Sequence, residues 1–161
     1  MTEQRNAPIA LEAIGKIRTN FIALSQCPRS SRFNPAECLV ELRPEFADGL
    51  LDVETATHVL VLYWLDRADR TVLRREHRQG TAARGVFATR SPHRPNPIAV
   101  SVVRLLGVEG NCLRVSGLDC LDGTQVVDIK PYVPAADRID DAKIELDCPV
   151  ASPASASQSA N

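Results

Sequence analysis

The sequence predicts an all-β domain, closed as a barrel or layered as a sandwich, and three observations carry that expectation. Short runs of strand-forming residues recur along the chain, Gly and Pro turn signals separate them, and no long amphipathic helical period appears. A length of 161 residues suits one domain. That domain is expected over residues 9–149, with a disordered tail over 150–161 that ends in ASPASASQSAN.

The elements follow in order. Ile14 to Arg18 is the first strand candidate, and Cys38 to Leu42 (CLVEL) alternates as a half-buried strand should. Ala47 to Ala56 suits one short helical turn. His58 to Leu65 (HVLVLYWL) is a continuous apolar run of strand length and reads as a buried strand. Ile98 to Leu106 is β-rich, and the loop Gly107 to Asn111 connects it to Cys112 to Val115 as a hairpin. A turn at Leu121 to Thr124 precedes a last short strand, Val126 to Ile129.

Composition narrows the function classes. No apolar run approaches ~20 residues, so no transmembrane helix is expected. The N-terminus lacks a basic region followed by an apolar one, so no secretory signal is expected and a cytoplasmic location is. The five cysteines contain no CxxC pair, which favours reduced, buried or idle thiols over structural zinc or a nucleophile. A net charge of −1 argues against a nucleic-acid partner, but it averages two unlike regions. Residues 67–94 hold eight arginines against two acids, a local balance of +6, while residues 119–147 hold eight acids against three bases. Arg74, Arg75, Arg78 and Arg84 therefore lie in a stripe suited to phosphate.

Two segments carry the chemistry. GVFATRSPHRPNPIAVS (85–101) places prolines at 92, 95 and 97, which fix φ and hold the intervening residues extended. Such a stiff loop loses little entropy on binding, and Arg90, His93, Arg94 and Asn96 equip it as a ligand clamp. The second segment is GLDCLDGTQVVDIKPYVP (117–134). Asp119, Asp122 and Asp128 in it are read as turn and strand residues, not as a metal site, because Asp-Gly is an ordinary turn pair. Asp128 and Lys130, at i and i+2 of a strand, share a face and are expected to pair with each other or with loop arginines. Tyr132 is either a stacking wall or a core or interface tyrosine.

Together these segments resemble the TsaA/TrmO family, whose hallmark is a GVFATRSPxRPNPIG(L/M)S loop followed by GLDxLDGTPVxDIKPYxP. The resemblance implies a small all-β barrel that forms a homodimer and binds S-adenosyl-L-methionine. It further implies methylation of the N6 atom of threonylcarbamoyl-adenosine at tRNA position 37. The absence of a βαβ pattern agrees with a methyltransferase outside the Rossmann type. Carried over by position, the cofactor-binding residues are Pro28, Arg29 and Ser30 (in place of a family Gln), and Asp66 and Arg67 (in place of a His-Gln pair). Arg90, Val100 through its backbone, and the stretch Ala136, Asp137, Arg138 and Ile139 complete them. The RNA-facing candidates are Arg74, Arg75, Arg78, Arg84, Arg94, Asn96, Lys130 and Tyr132. Methyl transfer does not require a base before attack; if one serves, Asp128 and His93 are the candidates. No metal is implied. The alternatives are a methyltransferase with another acceptor, or a non-catalytic module that binds S-adenosyl-L-methionine or RNA.

Overall fold

A computed structural model describes residues 9–28, 30, 35–76 and 83–144. Six strands close into an antiparallel barrel: β1 (Gly15–Arg18), β2 (Glu37–Leu42), β3 (His58–Trp64), β6 (Ile98–Glu109), β7 (Cys112–Ser116) and β8 (Gln125–Pro131). Their order round the barrel is β1-β2-β7-β6-β3-β8, and β8 returns to pair with β1. Closure leaves no unpaired edge within the barrel. Two further strands of two residues each, β4 (Arg74–Arg75) and β5 (Arg84–Gly85), pair outside it. A single helical turn, α1 (Pro134–Asp137), follows β8. No helix among the described residues is long and apolar enough to cross a membrane.

A six-stranded barrel is too narrow for a lumen, so side chains must fill it. The sequence meets that demand with compact β-branched residues at the inward positions. Ile17, Val40, Val59, Val61, Val103, Val115 and Val126 are all fully buried, joined by Leu113 and Leu118. Each buried valine contributes about 2 kcal/mol. Two bulges adjust the parity. One in β8 opposite Leu62 and Tyr63 lets Val126 and Ile129, three apart, both pack inward. The other, at Leu106, does the same for Leu105 and Val108.

The six expected barrel strands are all present, with shifted bounds. The expected 107–111 loop shrinks to Gly110–Asn111, because β6 keeps its pairing with β7 through Glu109. Gly110 makes the tight turn with φ +60, the conformation glycine adopts without strain. The single turn expected over 47–56 is two 3-10 segments, Pro44–Leu50 and Val53–Thr55, divided by Asp52 at φ 63. The domain boundary at 149 and the tail over 150–161 lie outside the described residues.

Gly15 has no room for a side chain: an added Cβ would run into the Glu41 carbonyl and lie 2.8 Å from the Leu42 Cα. Both obstacles are backbone of the paired strand and cannot rotate away. Gly15→Ala is expected to cost about 2 kcal/mol or more, read as a lower urea midpoint.

Candidate functional site

β3 ends, β6 begins and β8 begins at the same end of the barrel, since Trp64 pairs with both Ile98 and Gln125. The loop between β5 and β6 returns the chain to that end and roofs a cavity of about 530 Å³. Its shape is set locally. A 3-10 turn, Val86–Ala88, is closed by Thr89, whose N–H and hydroxyl donate to the Val86 carbonyl at 3.1 and 3.0 Å. Ser91 N–H then donates to the Thr89 hydroxyl at 3.2 Å.

The preceding arginine-rich segment straps this loop down. Arg70 Nε donates to the Pro95 carbonyl at 2.9 Å, with its guanidinium 5.3 Å from the Trp64 ring centre. Arg75 reaches the Ser91 hydroxyl at 3.1 Å. Arg94 donates to the Val86 and Thr89 carbonyls at 3.0 and 3.4 Å. The Asp69 N–H donates to His93 Nδ1 at 2.9 Å, so that ring nitrogen is the unprotonated one. The Asp69 carboxyl, bonded by the Thr71 hydroxyl and N–H, is held below the usual carboxylate range.

The cavity joins apolar walls to opposite charges. Leu24, Leu65, Leu121, Ile98 and Val100 supply the walls, Arg67 and Arg90 the cations, and Asp66 and Asp119 the carboxylates. Where the barrel meets the cavity, Ser101 and Tyr63 hydroxyls lie 3.0 Å apart, and the Tyr63 hydroxyl donates to Asp119 Oδ1 at 2.8 Å. With that phenolic proton committed to Asp119, the Ser101 hydroxyl donates to Tyr63. Burial, reinforced by the Asp119 charge, pushes the Tyr63 phenol far above its ordinary range. Burial likewise pushes the Cys120 thiol up to about 12, with the Asp119 charge adding to it and a hydrogen bond with Thr124 opposing it. The Cys27 thiol is raised by burial and then by Asp119. Both thiols are therefore protonated at neutral pH and poor nucleophiles.

The sign of the resulting pH dependence is fixed. Below pH 9 Cys120 is protonated both folded and unfolded; between the ordinary 9.0 and the folded value of about 12 only the unfolded thiol ionises. Stability must fall as pH rises through that window, by up to about 1.4 kcal/mol per pH unit for each such group. Tyr63 acts in the same direction above 10.0. Urea unfolding across the window should show this slope, and Cys120→Ala should flatten it.

Of the residues singled out in the sequence, Ser30, Asp66, Arg67, Arg90, Val100, His93 and Arg94 line this one cavity. Pro28 lies in the chain between Cys27 and Ser30, which both line it; Arg29 and Arg78 lie outside the described residues. Arg74, Arg75 and Arg84 gather on the β4–β5 pair beside the loop, and Asn96 is exposed within the loop. Ala136, Asp137, Arg138 and Ile139 do not join them. They follow the last residue of β8, Pro131, which pairs with Val59 at the opposite end of the barrel. Lys130 and Tyr132 lie at that far end too. Lys130 is ion-paired with Asp128 at 2.7 Å, and both face a second cavity of about 520 Å³ walled by Phe46, Leu50 and Val53. Among the described residues, no three or more His, Cys, Asp and Glu gather as a metal site would require.

The sequence reading passed over Tyr63, Ser101 and Asp119 as site residues. Tyr63 had a signal: it shares the inward parity of Val59 and Val61 and is the one polar residue in that row.

Comparison with known proteins identifies the family to which this fold belongs. A family model described as the tRNA-methyltransferase O N-terminal domain matches residues 16–138. The chain belongs to that TrmO N-terminal domain family. It is 46% identical over 129 residues to a protein of Archaeoglobus fulgidus named "S-adenosyl-L-methionine-binding protein", covering 80% of this chain and 93% of the relative. A second protein of that organism, named "Probable S-adenosyl-L-methionine-binding protein", is 51% identical over 136 residues, which cover 84% of this chain and 37% of the relative. The crystal structure of TrmO from P. aeruginosa superposes with a TM-score of 0.73 at 41% identity, over 88% of this chain and 62% of that one. This TrmO-family chain thus spans nearly all of one relative and under two thirds of the other two.

Proposed function

We propose that this domain binds S-adenosyl-L-methionine in the cavity under the Pro-rich loop. As a cytoplasmic homodimer, it then methylates N6 of threonylcarbamoyl-adenosine at tRNA position 37. The observation that carries the reading is the divided character of the cavity. Its apolar walls suit the faces of an adenosine, Arg67 and Arg90 suit a carboxylate, and Asp66 and Asp119 suit cationic groups. When bound, the cofactor supplies a methyl group on a positively charged sulfur.

The chain supplies position. The strapped loop holds Arg90 over the cavity with its guanidinium uncommitted among the described residues, and β6 presents the Val100 backbone. Alignment of this kind supplies much of the rate of a displacement. His93 commits its unprotonated Nδ1 to the Asp69 N–H, so its neutral ring carries the proton on Nε2 and offers it as a donor. Arg74, Arg75 and Arg84 extend the positive charge beyond the loop, where an RNA backbone would lie.

A second copy accounts for the stranded segment. The outward faces of β3 and β6 form an apolar stripe of Leu60, Leu62, Trp64, Ile98, Val100 and Val102, and its Ile98 and Val100 also line the cavity. Two copies packed on this stripe about an axis crossing the strands would bring Ala136 to Ile139 of one chain to the cavity of the other.

One finding favours a second reading. One relative, of which this chain covers 93%, is named only as an S-adenosyl-L-methionine-binding protein, which suits a module that binds without transferring. Incubating purified chain with S-adenosyl-L-methionine and tRNA bearing threonylcarbamoyl-adenosine, then measuring nucleosides by mass spectrometry, separates the two. Methylated product is expected. Saturable cofactor binding with no product on this or any other tRNA would favour the binding module.

A further inference from the structure

We propose that Asp119 is the residue by which this cavity tells the methyl donor from its demethylated product, its carboxylate facing the sulfonium. The inference rests on the cofactor reading above and deepens it. S-adenosyl-L-methionine and S-adenosyl-L-homocysteine share their adenosine and amino-acid head; they differ by a methyl group and the positive charge on sulfur. Contacts to the shared parts hold both equally, so only a group that senses the sulfur can separate them. Without that separation, product would occupy the site as firmly as donor.

Four observations select Asp119. It lines the cavity and is partly buried, whereas Asp66, the other carboxylate there, is exposed and screened by solvent. Its orientation is fixed, because Oδ1 accepts the Tyr63 hydroxyl at 2.8 Å and that hydroxyl is held in turn by Ser101. Oδ2 has no hydrogen-bond or ion-pair partner among the described residues, and the charge of Asp119 reaches the Cys27 and Cys120 thiols on the same cavity. Finally, Asp119 is not needed for the neighbouring turn. Asp122 accepts the Thr19 N–H and the Thr124 hydroxyl donates to the Leu121 carbonyl, so the turn is capped without it.

The test is calorimetric titration of the full chain with the donor, the product, and sinefungin, which carries an ammonium where the donor has its sulfonium. Asp119→Asn keeps an oxygen for the Tyr63 hydroxyl and removes only the charge. Its affinity for the donor and for sinefungin is expected to fall tenfold or more (about 1.4 kcal/mol), with the product unchanged to within about twofold. Tyr63→Phe, which keeps the charge, should retain the parent's donor-to-product ratio. Equal affinity of the parent for donor and product overturns the inference whether or not Asp119→Asn folds. So does a fall of all three ligands together in that variant, or no change in any. A parent that binds none of the three overturns the cofactor reading itself and this inference with it.

Discussion

Replacing Arg94 by alanine is expected to release the Pro-rich loop, lower cofactor affinity at least tenfold, and destabilise the domain by about 2 kcal/mol. The size of the effect follows from what the loop lacks. Pro92, Pro95 and Pro97 have no N–H, so the segment cannot hold itself with backbone bonds as a strand would. Arg94 substitutes for them, its guanidinium bridging the Val86 and Thr89 carbonyls across the 3-10 turn. Without it, two partly buried carbonyls lose a charged donor, and Arg90, four residues upstream, loses its fixed position. Arg94→Lys should rescue little, because an ammonium on a flexible stem does not reproduce the planar fork. Thermal melts and cofactor titration of both variants check this. Arg94, expected from the sequence to face RNA, donates to the Val86 and Thr89 carbonyls and lines the cavity.

Val102→Glu is expected to yield a folded monomer that no longer holds the cofactor. Val102 is 46% exposed and Val100 44%, on strands whose outward residues should be polar if they faced only water. In the proposed dimer a glutamate here would be buried within the packed stripe, and an unpaired buried charge opposes association. Stability of the monomer should be nearly unchanged, since the side chain points away from the barrel interior. Sedimentation velocity reads the dissociation. Cofactor titration reads whether the contribution proposed for Ala136 to Ile139 of a second copy is lost. A dimeric Val102→Glu, or a monomer with parental affinity, would show that each chain completes its own site.

The barrel was legible because its signals are local. Alternation in CLVEL and the apolar run HVLVLYWL are confined to single strands, and burial inside a narrow barrel gives them one stable reading. The β4–β5 pair was not legible, since Arg74, Arg75 and Arg84 carry no strand pattern and pair only because the chain doubles back there. The same limit applied to the site. The loop and its arginines announce themselves as a motif, but which arginine straps and which remains open depends on contacts such as Arg70 with Pro95, twenty-five residues away. Asp119 was hidden by its company: beside Leu121–Asp122–Gly123 it reads as one more turn aspartate, and only closure of the barrel brings Tyr63 to it.

Nucleoside mass spectrometry of tRNA position 37, from cells lacking this protein, tests the central claim most directly. N6-methylated threonylcarbamoyl-adenosine should disappear, return with the parent chain, and not return with Arg90→Ala. Unchanged methylation at position 37 in the deletion strain would contradict the account.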